Sequence, residues 1–261
     1  MSDQTKYTQK LTDKHVLIIG GSAGIGYGVA EASLESGARV TISSSQQTRV
    51  DAAISRLQTA YPSASSRIAG HACNLGDEAT LEANVAALFD KAGSVDHVVF
   101  TAGDALAAMP VEAVDLQKMV KAGMVRFFAP LLVAKHAAKH LTPGPASSIT
   151  LTTGSVSERP IANWTVVASY AGGLHSMTRN LALDLKPVRV NLVSPGVVDT
   201  ELWAGMDEAQ KKAMFEGYEK VLPTGRVGQV EDVAEAYLYA MKDRNVTGTV
   251  ISSNAGHLLV G

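Results

Sequence analysis

A chain of 261 residues with 46% apolar and 18% charged side chains can bury a large core and is too hydrophobic to be disordered. Its formal net charge of −2 excludes strong electrostatic attraction to nucleic acid or to an anionic membrane. The lone cysteine, Cys73, rules out an internal disulfide and reads as a small core residue, and no apolar run approaches the roughly 20 residues that span a bilayer.

The polar start, Met1 to Lys10, carries no apolar signal segment, so a cytoplasmic location is expected. Strand-like and helix-like segments then alternate without repeats or linkers. Val16–Ile19 is a short apolar run ending in glycines, followed by helical periodicity over Tyr27–Ser36 that Gly37 stops. Val40–Ser43 predicts a second strand, Val50–Tyr61 a helix, Ser66–Cys73 a strand, and Glu78–Ala92 a helix. His97–Phe100 is a fourth strand, Asp115–Leu141 a long helix, and Ser148–Thr152 a fifth strand. A second long helix spans roughly Thr165–Leu185, and Val188–Val193 is a sixth strand. Helical segments at Met206–Val221 and Val230–Lys242 precede a last strand, Gly248–Ser252. Strands separated by helices imply parallel pairing with helices on both faces. The expected fold is α/β: one doubly wound parallel-sheet (Rossmann) domain over residues 1–261, whose ligands bind beyond the carboxyl ends of the strands.

Between the first strand and first helix lies Gly20-Gly21-Ser22-Ala23-Gly24-Ile25-Gly26. Glycines there permit close backbone approach, and the helix start offers free N–H groups to a pyrophosphate. The strand–loop–helix placement predicts nucleotide binding. The chain here resembles the short-chain dehydrogenase/reductase family, whose G-x-x-x-G-x-G pattern is met by Gly20, Gly24 and Gly26. Phe100-Thr101-Ala102-Gly103 stands at that family's N-N-A-G position. Ser194-Pro195-Gly196-Val197-Val198-Asp199-Thr200 resembles its loop at the nicotinamide carboxamide, and Gly225–Gly228, Thr247-Gly248 and Asn254-Ala255-Gly256 match later signposts. The resemblance covers nearly the whole chain. It implies a cofactor site of Gly20, Ser22, Ala23, Gly24, Ile25 and Gly26, then Ala102 and Gly103, then Pro195, Gly196, Val198 and Thr200. At the end of the second strand stand Ser43-Ser44-Ser45 and Arg49, with no carboxylate to repel a 2′-phosphate. Ser44, Ser45 and Arg49 therefore favour NADPH/NADP over NADH, and Asn74-Leu75 is expected at the adenine edge.

The family's tyrosine acid and the lysine four residues after it share one helix face. None of the seven tyrosines here has such a lysine. Registering the helix on Gly172–Ala182 puts Val167 at the tyrosine position and Ala171 at the lysine position. The serine position falls on Gly154 or Ser155, and Arg126 stands where the family has asparagine. Tyr170 either substitutes as a donor, packs at an oligomer seam, or faces solvent. For Arg126 two roles stay open: a salt bridge to Asp104 or Glu158, and a fixed cation binding a substrate carbonyl. Trp164 either covers the core edge or stacks on a flat substrate. His175 and the other histidines lack metal-ligand spacing, and no metal is expected.

Hydride addition to an iminium carbon gives a neutral amine and needs no acid at that step, unlike ketone reduction. The expected catalytic set is thus Arg126, Trp164 and Ser155, acting on a small-molecule substrate. The pattern also resembles a divergent fungal branch of the family that includes reductase/Diels–Alderases of malbrancheamide-type alkaloid pathways. That resemblance implies NADPH-dependent iminium reduction in secondary metabolism, with cycloaddition in the same pocket, although the branch's acidic residue before the tryptophan is Ile161 here. A non-redox cyclase or isomerase, a cofactor-binding scaffold, and a carbonyl reductase with a displaced donor are the alternatives. A lid over residues 201–222 is expected to line a bulky hydrophobic site with Leu202, Trp203, Met206, Met214, Phe215 and Tyr218. The family resemblance further implies a homo-oligomer, dimer or tetramer.

Overall fold

Alternating strand residues face opposite sides of a sheet, so an apolar run buries two separate cores. In the computed structural model, which describes residues 4–260, the first strand β1 (His15–Ile19) does this: Leu17 and Ile19 enter one core, Val16 and Ile18 the other. The remaining strands are β2 (Arg39–Ser44), β3 (Ile68–Ala72), β4 (His97–Phe100), β5 (Ser148–Thr152), β6 (Arg189–Pro195) and β7 (Val250–Ser253). They form one seven-stranded sheet in the order β3-β2-β1-β4-β5-β6-β7, with parallel pairing throughout.

Helices α1 (Gly24–Glu35), α2 (Gln47–Ala60) and α8 (Val230–Lys242) cover one face, burying Val29, Leu34, Leu57 and Tyr237. On the other face α3 (Leu81–Ala92), α5 (Ala129–His140) and α6 (Thr165–Asp184) bury Phe89, Val133 and Leu174. Two further helices, α4 (Leu116–Gly123) and α7 (Glu208–Glu219), lie nearer the carboxyl ends of the strands. The strand order reverses between β1 and β4, where the connections diverge and leave a crevice. The opposite end of the sheet is closed by polar side chains. There Arg189 donates to the carbonyls of Pro145, Ala240 and Met241, and the His97 Nδ1 lies 2.9 Å from the Ser148 hydroxyl.

Several expected boundaries are corrected by local chemistry. The helix expected over Asp115–Leu141 is interrupted: Met124–Phe128, which includes Arg126, forms a π turn between α4 and α5. Pro130 has no N–H to give the Arg126 carbonyl, so an unbroken α ladder is impossible there. The third strand begins at Ile68, because Pro62–Arg67 coils into a 3-10 turn. Helix α3 starts at Leu81, not Glu78, since the Asp77 carboxylate binds the Ala79 N–H at 3.1 Å and the Thr80 hydroxyl at 2.9 Å, holding a separate turn. In the 201–222 segment the helix runs Glu208–Glu219 with Asp207 capping Gln210 N–H at 2.8 Å, preceded by a 3-10 turn at Glu201–Trp203. Residues 1–3 and 261, part of the expected domain and of the polar start, lie outside the described residues.

Candidate active site

The crevice is a cleft of about 860 Å³ at the carboxyl ends of β1, β4, β5 and β6. Its floor depends on two glycines. At Gly20 (φ +95°) a Cβ would lie 2.4 Å from the Ala102 backbone nitrogen, so only glycine lets the β1 and β4 loops meet. At Gly26 a Cβ would sit 2.3 Å from the Gly20 carbonyl oxygen. The glycine-rich loop thus packs backbone to backbone and leaves the N-terminus of α1 facing the cleft.

Every residue expected for the cofactor lies on this cleft. The glycine loop contributes Gly20, Ser22, Ala23, Gly24, Ile25 and Gly26, and the end of β2 contributes Ser44, Ser45 and Arg49. Asn74 and Leu75, then Ala102 and Gly103, follow along the wall, with Pro195, Gly196, Val198 and Thr200 opposite. The Ser22 hydroxyl donates to Ser44 Oγ at 2.9 Å, tying the glycine loop to β2. Arg49 is exposed and forms no ion pair among the described residues. The acidic residues on the cleft are Asp104 and Glu201, neither of them on β2. An anion already rests on the α1 N-terminus: the Glu201 carboxylate accepts the Gly24 N–H at 2.8 Å. The cradle therefore suits a dinucleotide pyrophosphate.

The positions expected to carry the family's tyrosine and lysine come together without those groups, while Ser155, one of the two candidates for the serine, lines the cleft. Val167 and Ala171, one turn apart on α6, both line the cleft. Gly154 lines it too, and a Cβ there would meet no atom within 4 Å. Ser155 is buried, and its Oγ lies 3.0 Å from His257 Nδ1, which uses the hydroxyl inside the protein. Burial, reinforced by Arg159, lowers the His257 pKa below its usual range. Tyr170 lines the cleft and is partly exposed. Its ring packs against Phe127 at 5.1 Å and its hydroxyl donates to the Met119 carbonyl at 2.9 Å, bridging α6 to the end of α4.

Arg126 resolves one of its two alternatives. Its Nε donates to Asp104 Oδ1 at 3.1 Å and its Nη2 to the Asp104 carbonyl, so Asp104 rather than Glu158 is the partner. The guanidinium lies against Gly103, where a Cβ would be 2.9 Å from Nη2. Burial lowers the Arg126 pKa, which the Asp104 carboxylate opposes, so the side chain stays a cation. Trp164 lines the cleft at the start of α6. Cys73, buried just after β3 on the same cleft, has its thiol pushed up to about 11 by burial, which keeps it protonated. His175 Nε2 lies 2.9 Å from the Ser157 hydroxyl. Among the described residues no three His, Cys, Asp or Glu side chains group as a metal ion would require.

The 201–222 segment is corrected in part. Leu202, Trp203 and Tyr218 line the cleft, whereas Met206, Met214 and Phe215 do not. Phe215 instead carries the Lys211 ammonium 5.3 Å from its ring centre. Among the cleft residues without a signal in the sequence pattern are Glu201, next to Thr200, and Lys121, one turn before the π segment. His257 follows the Asn254-Ala255-Gly256 signpost, and Gly256 (φ +77°) turns it back toward Ser155.

Residues 7–260 match the SDR-like Rossmann domain family. The chain belongs to the short-chain dehydrogenase/reductase family. It is accordingly an oxidoreductase by family, with relatives in both fungi and bacteria. The chain is 47% identical to the short-chain dehydrogenase/reductase fsr5 of Gibberella fujikuroi, covering 99% of this chain and 100% of that one. It is 39% identical to the short-chain dehydrogenase/reductase malC of Malbranchea aurantiaca, covering 95% and 96%. The solved structure of MalC reductase/Diels–Alderase superposes with a TM-score of 0.91, covering 97% of this chain and 99% of that one. A small-chain dehydrogenase in complex with NADPH, 30% identical, superposes with a TM-score of 0.76 over 95% of this chain and 99% of that one.

Proposed function

We propose that this short-chain dehydrogenase/reductase is an NADPH-dependent reductase of a bulky secondary-metabolite intermediate, acting on an iminium-type acceptor without a tyrosine acid. The observation that carries the reading is the apolar pair Val167 and Ala171 on an otherwise complete cleft. A ketone accepting hydride becomes an alkoxide, and no hydroxyl stands at the tyrosine position to protonate it. An iminium accepting hydride becomes a neutral amine. Bound NADPH supplies the hydride, and the chain's own residues do the rest.

Ser44, Ser45 and Arg49 receive the adenosine 2′-phosphate, with no acidic residue of β2 to repel it. Asn74 and Leu75 edge the adenine. Arg126, anchored on Asp104, directs its remaining N–H groups at a carbonyl beside the acceptor carbon. Trp164 stacks on the flat part of the substrate, and Leu202, Trp203 and Tyr218 close over it and exclude water. The likeness to MalC, a reductase/Diels–Alderase, supports the reductase reading. Ile161, an apolar residue on the cleft wall, offers no carboxylate for a further cycloaddition step.

The test is NADPH consumption with N-methyl-3,4-dihydroisoquinolinium set against 2-tetralone, a ketone of similar shape. The iminium should turn over at least ~100-fold faster, the order expected for a missing general acid. Comparable rates would overturn the reading and favour a displaced proton donor.

A further inference from the structure

Glu201 is the first residue of the lid, directly after the loop Ser194–Thr200, yet its carboxylate sits on the far wall. Its Oε2 accepts the Gly24 N–H at 2.8 Å, and Gly24 is the first residue of α1. The Thr200 side chain packs at the same point, where a Cβ on Gly24 would be 3.3 Å from Thr200 Cβ. The root of the lid is thereby fastened to the glycine-rich loop. An anion at a helix N-terminus is held by the unpaired N–H groups and the helix dipole, and a carboxylate strengthens the bond by its charge.

A dinucleotide pyrophosphate needs that same N–H and carries the same sign of charge. Both cannot hold it. We infer that Glu201 is a competing anion at the pyrophosphate anchor, so that cofactor binding must displace it and release the root of the lid. This inference rests on the NADPH reading above. Other contacts decide what moves. Lys211 of α7 pairs with Asp199 at 2.7 Å, and Trp203 Nε1 donates to the Val198 carbonyl at 2.9 Å. Both tie the lid to its own loop and neither reaches the glycine-rich loop. The loop itself is held by Gly228, which accepts the Asp199 N–H and donates to the Val197 carbonyl, each at 3.0 Å, so what leaves Gly24 is the Glu201 root of the lid beside a loop that stays in place. Cofactor enters first, and the substrate end of the cleft takes its final shape afterwards.

The test is a fluorescence titration of the whole chain and of Glu201→Ala and Glu201→Gln with NADPH, beside adenosine 2′-phosphate, which has no pyrophosphate. Glu201→Ala should bind NADPH roughly fivefold more tightly, with Glu201→Gln intermediate, because a neutral amide competes less well. Adenosine 2′-phosphate should bind all three alike, which separates local displacement from a general change in charge. Amide hydrogens of residues 201–206 should exchange faster in free Glu201→Ala than in the free parent chain. Unchanged or weaker NADPH binding in both variants would overturn the inference. Failure of the parent chain and both variants to bind NADPH would overturn the cofactor reading beneath it, a distinguishable result.

Discussion

At Arg126 an observed ion pair and a proposed substrate role share one side chain. Its pairing with Asp104 involves a half-exposed carboxylate, so Arg126→Ala should cost no more than about 1 kcal/mol of stability. Substrate turnover is a different matter. We expect kcat/KM for the iminium probe to fall roughly tenfold or more while NADPH affinity stays within about twofold. Equal losses of NADPH binding and turnover would place Arg126 in the fold rather than at the substrate. Tyr170 is the converse case. Its hydroxyl is committed to the Met119 carbonyl, so Tyr170→Phe should lower stability by about 1 kcal/mol, or Tm by roughly 2–4 °C, and leave turnover unchanged. Collapse of turnover at unchanged Tm would make Tyr170 the missing acid after all. Sequence reasoning placed both residues near the site, because helix periodicity positions a residue to within one turn. It could not choose Asp104 over Glu158, or give Tyr170 its partner, because those contacts depend on a π turn that periodicity does not show.

Among the elements, strands were legible and special turns were not. Apolar runs such as Val16–Ile19 and His97–Phe100 appear as strands because both sheet faces are buried. The π turn at Met124–Phe128, the Asp77 turn and the 3-10 turn at Glu201–Trp203 come from single side-chain or proline effects inside a helical pattern. The end of the sheet opposite the site carries a pH-dependent prediction. Burial, aided by the positive Arg189, lowers the His97 pKa from 6.5 to about 3. The unfolded chain therefore binds this proton at a pH where the folded chain does not. Stability should be full above about pH 6.5 and should fall as pH drops toward 3, by at most about 1.4 kcal/mol per pH unit from this residue. Thermal melts across that range check it. His97→Gln, which keeps a polar partner for Ser148, should flatten the slope, and an unaltered slope would assign the acid sensitivity elsewhere.

For the whole molecule, composition and the strand–helix alternation were enough to give the fold class, because a parallel sheet needs a crossover helix for each strand. Assembly is less directly written. Leu131 of α5 is 49% exposed and Leu183 of α6 is 69% exposed, surfaces that support the proposal of a homo-oligomer. Light scattering should give a mass that is a multiple of the single chain, and Leu131→Glu with Leu183→Glu should reduce it. A parent chain that is already monomeric would refute the proposal. None of the described helices is long and apolar enough to cross a membrane.

Hydride transfer that uses no protein acid is the central proposal for this enzyme. The decisive measurement is turnover of the iminium probe with NADPH deuterated at the transferred position, in ordinary and in heavy water, from about pH 6 to 9. We expect slowing by the deuterated cofactor, indifference to heavy water and a flat pH profile. Slowing in heavy water, with a rate that falls as pH rises through a single ionisation, would show a protein proton donor and contradict the proposal.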